Sequence, residues 1–510
     1  MEQKNKKKIS TQTIIKLLLA VVLLGLSAFL LKGDVWTFWT WWLLAGVMGF
    51  AAMPVTGRLF WRFEDKGWNF SKVLAIAATG FLTWFLTAIR LIPFNALTCA
   101  AVTILCAVIC FFLLRKESKE KTECFPVDRI SLIYWEELLF FLAFLMWTYL
   151  AGFRPAAYGT EKFMDYGFME AMMRSTTLPA RDLWYSEGHI NYYYGGQYFA
   201  VFLTKLSHTK VELTYNLMRT FVAGLAFAMP FSHVYQMMSD RMKGQQRSEK
   251  VIKRLPFAAG FTAGTAVSIA GNMHYVIYAQ IIPLIEKLTG KEVSSYWFPD
   301  ATRYIGYNPY REEDRTIHEF PCYSFVLGDL HAHVVNIMFV LLVIALLYVW
   351  LRGVRKKTVP VETSMKDGKF WKEQLLMPHL LVISVLLGMF QWTNFWDFVI
   401  YYVVTLGTVL FANIIRFQGK IKKIIVVTFA QMAEIYLLAY LVILPFTLQF
   451  DTMVDGIGIA KYHSYFYQLL VLWGLPAVLT ITFVISILWE KLRGMEHKSL
   501  YRLMKAIRTA

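Results

Sequence analysis

About twelve apolar stretches, most of them roughly 18 to 25 residues long and parted by short connectors, decide what this chain can become. Each has the length of helix that crosses the hydrocarbon core of a bilayer. Spans are expected near 14–31, 35–53, 73–93, 95–114, 132–152, 213–238, 255–283, 334–351, 376–392, 396–415, 424–447 and 467–489. The fold class that follows is all-α, a polytopic transmembrane helical bundle. A composition that is 57% hydrophobic and only 17% charged agrees with it.

The formal charge of +17 would suit nucleic acid if it were spread over a surface, but Lys and Arg gather in connectors. Such charge fixes orientation instead, which excludes a nucleic-acid partner. With a cytoplasmic N-terminus (Lys4, Lys6, Lys7, Lys8), the groups at Arg58 to Lys66, Arg115 to Lys121, Arg241 to Arg254, Arg352 to Lys357 and Lys420 to Lys423 all fall inside. The tail with Lys491, Arg493, Lys498 and Arg502 falls there too. The expected address is the cell membrane, with both termini cytoplasmic. The run from Ile14 to Leu31 reads as an uncleaved signal anchor. Five scattered cysteines, Cys99, Cys106, Cys110, Cys124 and Cys322, imply no disulfide framework.

One segment decides the topology. Tyr192 to Leu206 is apolar but short and opens with three tyrosines, and counting it as a span would put the densest basic connector outside. It is read as a helix at the outer interface or re-entering partway. Three regions then follow: a four-span part (1–130), a larger transmembrane domain (131–490) with long outer loops at 154–212 and 284–333, and a basic tail (491–510). Glu136 and Glu137 sit near the inner end of their span, where snorkelling is the expected explanation.

Three polar segments stand at the outer mouths of spans: Glu161-Lys162-Phe163-Met164-Asp165, Gly328-Asp329-Leu330-His331-Ala332-His333 and Thr393-Asn394-Phe395-Trp396-Asp397. Asp165, flanked by Phe163 and Tyr166, can act as a general base or a metal ligand, or simply cap a helix. In an extended backbone Asp329, His331 and His333 would converge on one cation; in a helix only Asp329 and His333 share a face. The alternative is that Asp329 caps the next span. Glu170 and Arg174 read as an i,i+4 ion pair. Outer Arg174, Arg181, Arg303, Arg311, Arg315 and Lys461 are candidate phosphate partners. His318-Glu319 and Asn272-x-His274-Tyr275, the latter inside the seventh span, complete the outer polar set, while Glu434 lies in mid-span.

Taken in order, Glu161-Lys-Phe-Met-Asp165, Ile190-Asn-Tyr-Tyr-Tyr194, Glu319-Phe-Pro321, Ser324-Phe325, Asp329-Leu-His-Ala-His333 and Asn394-Phe-Trp-Asp397 resemble the "YYY" family of uncharacterised multi-span membrane proteins, from about Ser131 to Gly474. That family is grouped with the GT-C glycosyltransferases, membrane enzymes that take sugars from polyprenyl-phosphate donors on the extracytoplasmic face. The resemblance implies Asp165, with Glu161 beside it, as catalytic carboxylates. It implies substrate contacts from Lys162, His189, Asn191, Tyr193, Tyr194 and Gln197, and from Glu319, Asn394 and Asp397; Arg174 and Arg181 join them. Where this chain has Gln197 the family usually carries histidine, so no imidazole is implied there. A divalent cation is a candidate cofactor, Mg or Mn at Asp165, or Zn if Asp329, His331 and His333 are the ligands. The expected partners are membrane lipids, a polyprenyl-phosphate sugar and an acceptor that the sequence does not identify. Two other readings stay open: a lipid or solute transporter or flippase, and a metal-dependent membrane hydrolase.

Overall fold

The computed structural model describes residues 10–120, 124–243, 248–354, 364–452 and 458–493. The terminal lysines, Lys121, Arg247, Arg355 to Lys357 and the tail beyond Arg493 lie outside the described residues. Among the described residues seventeen α-helices follow one another: α1 (Thr11–Leu31), α2 (Val35–Leu59), α3 (Trp68–Ala88), α4 (Ala96–Glu120), α5 (Ile130–Ala151), α6 (Lys162–Arg174), α7 (Gly195–Ser207), α8 (Val211–Met242), α9 (Glu249–Ser268), α10 (Ile282–Leu288), α11 (Pro321–Leu327), α12 (Ala332–Val354), α13 (Gly368–Leu375), α14 (Pro378–Thr393), α15 (Phe395–Phe417), α16 (Ile421–Thr447) and α17 (Phe466–Arg493). Among the described residues extended pairing is limited to two isolated bridges, Arg181 with His189 and Tyr307 with Tyr310. The polytopic helical bundle is therefore the fold.

Nine helical runs among the described residues are long and apolar enough to cross a membrane, and ten when α13 and α14, bent by 53°, are taken as one broken span. One of the nine, Thr11–Leu59, answers two expected spans because it doubles back. Lys32 adopts a φ of 51°, and the Trp39 indole donates to the Ser27 hydroxyl at 3.0 Å, where a straight helix would hold the two about 18 Å apart. The expected span 255–283 does not form as a single helix. Its α-helix stops at Ser268, and helix resumes at His274, running on as a π-helical turn from Val276. Asn272 lies in the gap and bonds the Ala301 carbonyl, so the polar Asn272-x-His274 group belongs to a break instead of a span interior.

By internal contacts the chain forms two units, residues 1–269 with 324–453, and residues 270–323 with 454–510. In this division α1 to α4 belong with the larger unit.

In the larger unit α8 packs between α5 and α9 through small residues. A Cβ at Gly224 would lie 2.9 Å from Phe144 of α5, and Cβ atoms at Gly260 and Gly264 would lie 2.7 and 2.6 Å from the carbonyls of Phe231 and Phe227. Glycine four residues apart is what lets α9 approach the α8 backbone this closely. At the same end as Arg129 and Arg352, Glu137 accepts from the Lys72 ammonium and from the Trp42 and Trp68 indoles, each at 2.7 Å. Glu136 beside it is fully buried. Packing, and not snorkelling, accounts for both carboxylates.

The α7 helix separates the two readings of Tyr192 to Leu206, a helix at the outer interface or one re-entering partway. At 13 residues, about 20 Å, it is too short to span, yet every residue from Gly195 to Lys205 is buried. It is sunk into the protein and does not lie on an interface.

In the smaller unit Tyr304, Ile305, Val471 and Leu472 form a core with Ile277 and Tyr278 packed on it. Arg303 lies over Trp297, Arg311 over Tyr462 and Tyr465, and Arg315 over Tyr307 and Tyr310.

Replacing Gly264 by leucine should force α9 off α8 and cost about 1 to 3 kcal/mol. A lower melting temperature in detergent with unchanged helical circular dichroism is the expected result.

Candidate functional site

The α6 helix buries one stripe, Asp165, Phe168, Met169 and Met172, spaced as a 3.6-residue repeat requires. That stripe carries the Asp165 carboxylate into the protein, where its exposure is zero. The opening of α7 meets it. A Cβ at Gly195 would lie 2.7 Å from Thr393 and 2.9 Å from Trp392, so only a residue without one lets this end settle against the α14 terminus. Two residues on, the Gln197 amide donates to Asp165 Oδ1 at 2.7 Å and to the Leu330 carbonyl at 3.0 Å. Asp165 Oδ2 and Gln197 Oε1 are buried and take no hydrogen bond within the protein.

Burial pushes the Asp165 carboxyl up to about 7; Gln197 and the nearby His331 pull it down, and Asp329 and Glu161 push it further up. The ordinary carboxyl is ionised well below neutrality. This one gains and loses its proton near neutral pH, as a general base should.

The segment before α12 supplies the other side of the site. Gly328 has a φ of +92°, which lets the chain turn sharply ahead of Asp329. Thr160 donates to Asp329 Oδ1 at 2.6 Å, and His331 Nε2 stands 2.8 Å from Glu161 Oε2. His331 Nδ1 is 3.9 Å from Asp329 Oδ2, and His333 Nε2 lies 3.4 Å from the Ser324 hydroxyl. The His331 carbonyl accepts the first amides of α12, so His331, and not Asp329, occupies the capping position.

Two cations stand at the turn. A Cβ on Gly328 would be 2.6 Å from Arg219 Nη1 and 3.2 Å from Lys162 Nζ. Arg219, on α8 and 3% exposed, donates to the Phe325 carbonyl and to Asn216. Burial lowers the Lys162 pKa, Asp329 raises it, and Arg219 and Arg154 lower it further. Sequence reasoning missed Arg219. The signal was there: an arginine eight residues inside an apolar helix is costly unless it serves a site or a partner.

The structure thus brings together Glu161, Lys162, Asp165, Gln197, Asp329 and His331, from segments up to 170 residues apart in the chain. Other expected residues go elsewhere. Asn394 and Asn336 both donate to Asp397, and Thr393 donates to Asn336, which closes a capping network at the start of α15. Asn191 exchanges two hydrogen bonds with the backbone of Asp451. Tyr194 is buried and accepts from the Trp84 indole, while Tyr193 rests on Phe450. Arg174, Arg181 and His189 are exposed, and Glu319 belongs to the smaller unit. Glu170 stands at the Tyr166 hydroxyl, and no ion pair joins it to Arg174. Among the described residues no three His, Cys, Asp or Glu side chains converge as metal ligands. Asp329 turns to Thr160, His331 to Glu161 and His333 toward Ser324, because the backbone is irregular up to His331 and helical after it.

The larger unit also has two electrically distinct ends. The cluster lies at the N-terminal ends of α8 and α12; at their C-terminal ends Asp240 holds Lys243, Arg352 and the Tyr348 hydroxyl.

The family model described as Uncharacterized membrane protein (DUF2298) matches residues 78–510, and the chain belongs to that family. No curated protein and no solved structure gives a significant match.

Replacing Gln197 by leucine should raise the Asp165 titration midpoint above about 7, because the donor that favours the ionised form is lost. The carboxyl band in pH-difference infrared spectra checks this; an unmoved midpoint would count against the assignment.

Proposed function

We propose that this member of the DUF2298 family is a glycosyltransferase that moves a sugar from a polyprenyl-phosphate donor to an acceptor hydroxyl at the extracytoplasmic face, in keeping with the GT-C enzymes its YYY-type motifs resemble. One observation carries the reading: a fully buried carboxylate with one oxygen held by Gln197 and the other unengaged within the protein, in a cluster whose Gly328 turn is flanked by two cations. Asp165 Oδ2 takes the proton of the acceptor hydroxyl as its oxygen attacks the anomeric carbon. The bond from that carbon to the phosphate oxygen breaks, and the polyprenyl phosphate leaves with the bonding pair. Lys162 and Arg219 offset its charge, an electrostatic contribution that costs little reorganisation because Arg219 is already held by Phe325 and Asn216. His331 holds Glu161, which fixes the rim around the base.

The polarity of the larger unit supports an outer location, since Arg129, Lys243 and Arg352 gather at the end away from Asp165, as cytoplasmic ends do.

Asp165→Asn should lower transfer by at least about 100-fold, the lower range for removing a general base, in proteoliposomes supplied with polyprenyl-phosphate sugar. Transfer within a few-fold of wild type would overturn the proposal.

The wild-type rate should rise with pH through about 7 as Asp165 ionises. Stability should move the other way. The folded carboxyl has its pKa above the unfolded value of 3.8, so the protonated form favours folding and that advantage is lost as pH rises toward about 7. Asp165→Asn should flatten this dependence in thermal melts taken between the two values.

A further inference from the structure

We propose that the gap between α2, α3, α4 and α14 is a binding site for one acyl chain of a membrane phospholipid. The cavity measures about 370 Å³, is partly open, and is walled by residues such as Ala51, Ala78, Phe81, Cys106, Ala107 and Cys110. It shares no residue with the Asp165 cluster, so this inference stands apart from the proposed transfer reaction.

Its chemistry restricts the occupant. Thr79 and Thr103 are the hydroxyl residues in the wall, and each donates to a carbonyl of its own helix, Ala75 and Cys99. With both donors spent, each hydroxyl offers only acceptor lone pairs, too few for a water that needs two to four polar partners. A lipid head group or a sugar would lose its hydrogen bonds on entry without regaining them. An engineered apolar cavity of about 150 Å³ stays dry and accepts benzene, and this one is more than twice that size. An empty space of these dimensions would forfeit the dispersion contacts of its whole wall.

The surroundings supply the occupant. All four helices belong to runs of membrane-spanning length and hydropathy, so the medium at the opening is hydrocarbon. The cavity exists because six alanines, at positions 51, 52, 75, 77, 78 and 107, leave the helices apart without large side chains to fill the space. A flexible chain of methylene groups matches a narrow apolar slot between helices.

The thiols allow a test within the native chain. Cys106 and Cys110, one helical turn apart, face the cavity and are half-buried, while Leu105 and Ile109 on an adjoining face are 53% and 51% exposed. The full chain would be reconstituted in phosphatidylglycerol vesicles containing a phospholipid with a mid-acyl diazirine, irradiated, and its adducts mapped by mass spectrometry. Adducts should favour Cys106, Ala107 and Cys110 over Leu105 and Ile109 by about tenfold, the preference that burial of roughly two methylenes yields. Ala78→Phe and the milder Ala107→Leu should each remove that preference and raise the melting temperature in delipidated detergent. Equal labelling of both faces that neither variant alters would mean bulk lipid alone and would overturn the site. A protein cross-link across the opening would overturn it in favour of a partner helix.

Discussion

One side-chain amide holds the candidate site together. Gln197 reaches Asp165 on α6 and the Leu330 carbonyl ahead of α12, so three segments distant in the chain are tied at a single nitrogen. All of these atoms are buried, where a missed hydrogen bond is costly and a made one is strong. With His331, this donor favours the ionised form of a carboxyl that burial pushes up. The same amide leaves the second carboxylate oxygen unengaged, which is the property a proton acceptor requires. Structure and chemistry depend here on one geometry.

Around that contact the protein separates two kinds of polar group. Asn336, Asn394 and Asp397 satisfy one another and finish a helix; Asn191 and Asp451 do the same for a loop. Such groups are complete without a ligand. The Asp165 cluster is not, since Asp165 Oδ2, Gln197 Oε1 and His331 Nδ1 are all buried without hydrogen bonds in the protein. Three such buried atoms gathered from three segments at one place are what single this cluster out.

Much of this was legible in the sequence, and the failures have physical causes. Membrane-length runs gave the helical bundle, and short polar motifs against an apolar background pointed to Glu161, Asp165, Asp329 and His331, which do assemble. Charge bookkeeping correctly denied Tyr192 to Leu206 the status of a span. Its burial was not readable, because an apolar helix looks the same whether protein or lipid surrounds it. Arg219 and Asn336 were hidden for the converse reason: a lone polar residue within a hydrophobic run hardly changes the average, although its partner lies 106 or 61 residues away. The Asp329, His331 and His333 triplet could not be settled either, since its convergence turned on a change from irregular to helical backbone inside five residues.

The pairing of Lys72 with Glu137 bears on how the molecule is made. Lys72 lies in α3 and Glu137 in α5, and each is a poor passenger in hydrocarbon until the other is beside it. Since α3 leaves the ribosome first, its ammonium group has to wait, shielded or near the bilayer edge, while α4 and the following connector are synthesised. The pair is completed only when α5 arrives, and by then Trp42 and Trp68, already made, stand ready to donate to the same carboxylate.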